Sequence, residues 1–131
     1  MERAMIVTPQ PEATEAGWEV LAGGGNAFDA AVVAALVQYV VDPMMTSLGG
    51  SGCAVSYCGD EYRAGVLSFM SRAGSKVRAG MWARLAEPLD VGYPSACVPG
   101  NVRGLATLLH EHGTIPNGCR SCFRASHPLA G

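Results

Sequence analysis

The stretch from Pro11 to Gly52 constrains the fold more than any other: one helical pattern, a triple-glycine break, a strongly apolar helical pattern, then a glycine-rich loop. Pro11 suits a first helical position, where the N–H it lacks would have had no partner. Ala13, Ala16, Val20 and Leu21 recur at helical spacing, with Trp18 at the edge of their stripe. A helix ends most easily where positive φ is tolerated, and Gly23, Gly24 and Gly25 supply such a place. Asn26 is then a preferred cap for the next helix. Asp29, three residues on, can return a hydrogen bond to the cap backbone. From Ala30 to Val37 no polar residue interrupts, so this second helix must be covered on most sides and forms the centre of the core. Asp42-Pro43 stops it, because a residue before proline is driven out of the helical region.

That apolar segment, Ala27 to Val41, is shorter than a membrane span and contains Asp29 and Gln38, so it reads as a buried helix with no membrane partner. The chain's 131 residues, 49% hydrophobic and 15% charged, suit one globular domain. A net charge of -2 without a basic run argues against a nucleic-acid partner, because phosphate neutralisation needs a basic face. Met5-Ile6-Val7 is too short an apolar run for a secretory leader, and we expect a strand over Met5 to Thr8. Five cysteines with no leader point to reduced thiols and a cytoplasmic setting.

Beyond the loop, Cys53 to Cys58 and Tyr62 to Phe69 form two strand patterns around the Gly59-Asp60 turn, a β-hairpin. Trp82 to Ala86 is expected as a short helix, and Tyr93 to Gly100 as an extended linker. Val102, Leu105, Leu108 and Leu109 predict a helix over Asn101 to His112, stopped by Gly113. The last segment, 117–131, has neither helical nor strand periodicity. The fold class is therefore α+β, with helices packed on antiparallel strands.

Few motifs carry chemistry. Leu48-Gly49-Gly50-Ser51-Gly52 lacks the Gly-Lys-Ser/Thr ending of a phosphate loop and runs into a strand rather than a helix, so a tight, closely packed turn is expected. For the same reason Ser47 and Ser51 do not form a nucleophile elbow. Cys119 and Cys122 have metal or redox spacing, but His127 is their only nearby complement, short of the four ligands zinc needs. His110 and His112 point in different directions on a helix and read as solvated helix-end residues. Cys53, Cys58 and Cys97 read as small core residues. No metal site or cofactor follows, and no catalytic residue can be assembled. Arg72, just past an apolar strand, could grip a carboxylate through two parallel hydrogen bonds. From spacing alone, a solvated arginine is the commoner outcome.

Several stretches together resemble the γ-glutamyltranspeptidase family of N-terminal-nucleophile hydrolases. They are Thr8 to Gly17, Gly24 to Val32, Val41-Asp42-Pro43, the Leu48 to Gly52 loop, Ser71-Arg72-Ala73, Val98-Pro99-Gly100, and His112 to Pro116. Singly they are weak; their order and spacing make the match specific. The resemblance implies a four-layer α-β-β-α fold, of which this chain is a fragment from the start of the large subunit. Residues 1–116 are then a partial domain and 117–131 an irregular tail, for which a change of reading frame is one hypothesis.

The family's nucleophile is a threonine at the start of a small subunit, acting with its own amine as base. None of Thr46, Thr107 and Thr114 follows a family cleavage motif, so that segment is expected to be missing and the chain inactive alone. The complete enzyme would cleave or transfer a γ-glutamyl or related acyl group from a compound such as glutathione. Arg72 is the residue that resembles the family's substrate-binding arginine, which many members carry two positions earlier, where Met70 stands here. Arg72 therefore matches a subgroup, and a different carboxylate or acyl group is an open alternative. Gln10 also stands where many members have histidine. The competing expectations are a non-catalytic module that binds a carboxylate or a partner chain, and a truncated product without function.

Overall fold

The computed structural model describes residues 4–59, 62–81, 92 and 95–115. Helix α1 spans Pro11–Ala22 and opens on Pro11, as its fixed φ favours. It ends where the Gly23 N–H turns back to the Glu19 carbonyl and Gly24 takes a φ of 92°. Helix α2 spans Ala27–Val41 and begins on a complete capping box. Asn26 Oδ1 accepts from the Phe28 and Asp29 N–H groups at 2.9 and 3.0 Å, while Asp29 Oδ2 accepts from the Asn26 N–H at 3.1 Å. Asp42 closes the helix, as the following proline requires.

The two helices approach closely because small residues meet. A Cβ on Gly17 would lie 3.2 Å from the Ala30 carbonyl oxygen and 3.3 Å from Ala34 Cβ. Ala13, Ala16, Val33 and Val37 form one buried cluster between them. Val32 joins Leu105 and Leu108 in a second, flanked by Ala54 and Leu67. Helix α2 belongs to both clusters, which makes it the central core element its apolar sequence demands.

Strands β1 (Gly52–Cys58) and β2 (Arg63–Phe69) pair antiparallel, with Gly52 opposite Phe69 and Cys58 opposite Arg63. The inward face carries Ala54 and Leu67 towards helix α3 (Asn101–His112) and α2. The outward face carries Val55, Tyr57 and Val66, all exposed. Together these elements form an α+β unit of helices on a two-stranded antiparallel sheet.

Three expectations need correction. Residues 5–8 are not a strand: the segment is extended but pairs with no strand among the described residues. It is tied to α1 instead. The Thr8 N–H donates to Thr14 Oγ1 at 3.2 Å, and Ile6 packs over Gly17. The cysteines are not core residues either. Cys53 shares the outward face of β1 with Val55 and Tyr57, Cys97 is exposed and Cys58 half-buried. Strand alternation decides which face a cysteine takes, and composition does not reveal which face is inside. Lastly, His112 is not a solvated helix end: its ring stacks on Phe28 with centroids 4.4 Å apart. The expected Trp82 to Ala86 helix, the Tyr93-Pro94 part of the linker and the 117–131 tail, with Cys119, Cys122 and His127, lie outside the described residues.

Candidate functional site

The site is built where three separated stretches lock together at the start of α3. The Gly50 carbonyl accepts from both the Gly100 and Asn101 N–H groups, at 3.1 and 3.2 Å. The buried Asn101 side chain donates through Nδ2 to the Ser47 carbonyl at 2.7 Å. Arg72 and Val98 exchange backbone hydrogen bonds of 3.1 and 2.8 Å, an isolated antiparallel bridge. Gly100 sits so tightly beneath this junction that a Cβ would collide with the Phe69 carbonyl oxygen. The glycine loop is thus the close-packed turn its residues predict, and it leads into a strand.

This junction fixes the Arg72 backbone while leaving its side chain exposed. Arg72 lines a small pocket of about 110 Å³ with Met70, Val98, Arg103 and Thr107. Two larger grooves lie nearby. One of about 630 Å³ runs from the glycine loop past Tyr39 and Asn101. The other, about 980 Å³, lies between the 4–9 segment and helices α1 and α2, beside Trp18 and Gln38. Neither is lined by a charged side chain. Of these three, only the small pocket offers charge to hold an anion.

No nucleophile is assembled among the described residues. Thr46 Oγ1 lies 3.0 Å from both the Gln38 and Asp42 carbonyls, Thr107 Oγ1 donates to the Arg103 carbonyl at 2.9 Å, and Thr114 Oγ1 donates to Asp29 Oδ2 at 2.8 Å. Thr46 and Thr107 are thus engaged by backbone carbonyls, while the carboxylate that Thr114 meets is buried and already accepts from two backbone N–H groups, a structural tie. No cluster of metal-ligating side chains occurs among the described residues. The strongest electrostatic feature is Asp29, buried at 1% exposure. Burial pushes its carboxyl up, but hydrogen bonds from the Thr114 N–H and hydroxyl, the Asn26 N–H and the Ile115 backbone outweigh that and hold it below the usual value. Its place, between the start of α2 and the end of α3, is structural. Tyr39 is shifted the other way, its hydroxyl pushed up by burial.

A family model for gamma-glutamyltranspeptidase matches residues 13–118. The chain belongs to the γ-glutamyltranspeptidase family. It is 34% identical over 125 residues to an acylase ACY 1 proenzyme of Pseudomonas sp. (strain V22), covering 87% of this chain and 22% of that one. It is 32% identical over 121 residues to a glutathione hydrolase proenzyme of Bacillus subtilis (strain 168), covering 84% of this chain and 20% of the relative. The chain therefore spans about a fifth of the length of these curated relatives. The crystal structure of Helicobacter pylori gamma-glutamyltranspeptidase superposes with a TM-score of 0.88 and 30% identity, over 99% of this chain and 38% of that one. The helices and hairpin described above are thus an α+β part of the N-terminal-nucleophile hydrolase fold of γ-glutamyltranspeptidases. No described helix is long and apolar enough to cross a membrane.

Two contributors escape sequence reasoning. Asn101 follows a Pro-Gly pair like any helix-start residue, and nothing in the sequence shows that it will be buried and bound to Ser47. Arg103 reads as a surface residue; the available signal is an arginine in a first helical turn with no acid beside it.

Proposed function

We propose that this chain forms the donor-binding scaffold of a γ-glutamyltranspeptidase-type amide hydrolase or acyl transferase, and that Arg72 is its carboxylate grip. The observation that carries this reading is the Arg72–Val98 bridge. It holds the Ser71-Arg72-Ala73 and Val98-Pro99-Gly100 stretches together and leaves a guanidinium projecting from a rigid backbone. A planar fork of donors anchored in this way suits bidentate capture of a carboxylate. The donor in this reading is a γ-glutamyl compound such as glutathione, or a related acyl amide, since relatives of both the glutathione hydrolase and the acylase kind match the chain. The acyl group passes to a threonine on a small-subunit segment that completes the site, and from it to water or an amine. In atom terms, the threonine oxygen bonds to the acyl carbon, the C–N bond breaks, and the proton leaves with the amine. Residues 1–116 act as the partial domain of that site. The free thiols of Cys53, Cys58 and Cys97 support a cytoplasmic setting.

The test is complementation. The chain is produced alone and with the threonine-bearing segment of a relative, and release of a chromogenic amine from a γ-glutamyl amide is followed. We expect activity in the complemented sample alone, and its loss in Arg72→Ala. Turnover that survives Arg72→Ala would remove the carboxylate assignment. No turnover in a stable, correctly assembled complex would favour the non-catalytic module.

A further inference from the structure

The small pocket beside Arg72 contains a second arginine that the proposed function leaves unused. Arg103 lies in the first turn of α3, and both guanidinium-bearing residues line the same space of about 110 Å³ with Thr107 between turns of the helix wall. No carboxylate lines this pocket among the described residues, and the first turn of α3 has neither an acidic residue nor a side-chain cap. Both side chains are solvent-exposed, and a cation at a helix start is mildly disfavoured by the helix dipole. The pocket thus presents two cationic residues and no countercharge among the described residues, a lining suited to an anion. The pocket is small but has room for a carboxylate. Met70, Val98 and Pro99 add apolar surface to the same lining.

We infer that Arg103 is a second, specificity-determining guanidinium that shares one substrate carboxylate with Arg72, selecting acyl donors that carry a carboxylate over uncharged ones. This rests on the proposed role of Arg72. Arg72, fixed by its bridge to Val98, sets the direction of approach. Arg103, in the first turn of α3, supplies the second guanidinium of the same lining. A carboxylate shared by two guanidinium groups gains charge-assisted hydrogen bonds that a single exposed arginine does not supply.

The test uses the 131-residue chain and two probes, L-γ-glutamyl-p-nitroanilide and its carboxylate-free 4-aminobutyryl analogue (the butyryl probe), with binding measured by calorimetry at low and at physiological salt. The wild type is expected to bind the glutamyl probe, more weakly as salt rises, and to bind the butyryl probe at least tenfold less tightly. Arg103→Gln and Arg72→Gln are each expected to weaken the glutamyl probe by roughly tenfold or more and to leave the butyryl probe unchanged. Arg103→Lys should recover only part of the loss, because a point charge lacks the fork. Circular dichroism establishes that each variant is folded. If Arg103→Gln binds as the wild type does while Arg72→Gln does not, the inference about Arg103 falls and the role of Arg72 stands. If Arg72→Gln alone is without effect, the proposed function loses its carboxylate grip and the shared site falls with it. A wild type that does not distinguish the two probes overturns both.

Discussion

Asp29, in the first turn of α2, accepts two hydrogen bonds from Thr114, just beyond α3: one from the backbone N–H at 3.0 Å and one from the hydroxyl at 2.8 Å. The same carboxylate oxygen closes the capping box by accepting from the Asn26 N–H. One oxygen therefore fixes both the start of the central helix and the chain leaving α3, 85 residues later.

This geometry sets a pH dependence. The Asp29 carboxyl is held below its usual value in the folded chain, so the stability it contributes is fully present above the unfolded-chain value of about 4. It is lost as pH falls through the lower folded value. Thermal unfolding from pH 7 down to pH 2 should show a drop below about pH 4. Asp29→Asn should be less stable at pH 7 by about 2 kcal/mol and should show a smaller further loss in acid. An unchanged acid limb in the variant would assign the transition to other carboxylates.

The capping box, the glycine stop and the central helix were legible in the sequence because each depends on local spacing: Asn26 and Asp29 are three residues apart, and α2 announces itself by lacking polar interruptions. Thr114 and Asn101 were not legible. Their partners, Asp29 and Ser47, lie 85 and 54 residues away, and nothing in the local text encodes those meetings. The segment around Met5 misled for the reverse reason. A β-branched run favours a strand but does not supply the neighbouring edge that makes one. At the candidate site, spacing could suggest Arg72 but not rank it above an ordinary surface arginine. The bridge to Val98 and the shared pocket with Arg103 arise only once the chain has folded.

Gly100 supplies a steric prediction. A methyl group there meets the Phe69 carbonyl oxygen, which belongs to a strand and cannot swing aside. Gly100→Ala should cost about 3 kcal/mol or leave the chain unable to form the Arg72–Val98 bridge. Gly74 is the control, since a Cβ there meets nothing within 4 Å and its φ is not positive. Gly74→Ala should change stability by less than about 1 kcal/mol. Urea unfolding of the two variants checks the contrast, and equal effects would contradict the packing described at the junction.

Helix α2 offers a second contrast within a single turn. Val37 is fully buried between α1 and α2, whereas Val40 is 48% exposed. Val37→Ala should lose about 2 kcal/mol, combining lost burial with a cavity that the small neighbours Ala13 and Ala16 cannot refill. Val40→Ala should be within about 0.5 kcal/mol of the wild type, aided by the helix preference of alanine. Denaturant midpoints measured at constant slope are sufficient to separate them.

Asn26 joins local capping to a long-range tie, and the two can be separated. Its Oδ1 caps α2, and its Nδ2 donates to the His112 carbonyl at 2.6 Å, binding the last turn of α3. Asn26→Ser keeps a capping oxygen but has no group that reaches His112. Asn26→Ala loses both. A cap alone is worth about 1 kcal/mol, and a hydrogen bond to a half-buried carbonyl adds a similar amount. Serine should therefore cost about 1 kcal/mol and alanine about 2 kcal/mol, and both should raise amide exchange at the end of α3. Exchange that rises only in α2 would mean that Asn26 is a helix cap alone and that the α2–α3 connection rests on Asp29.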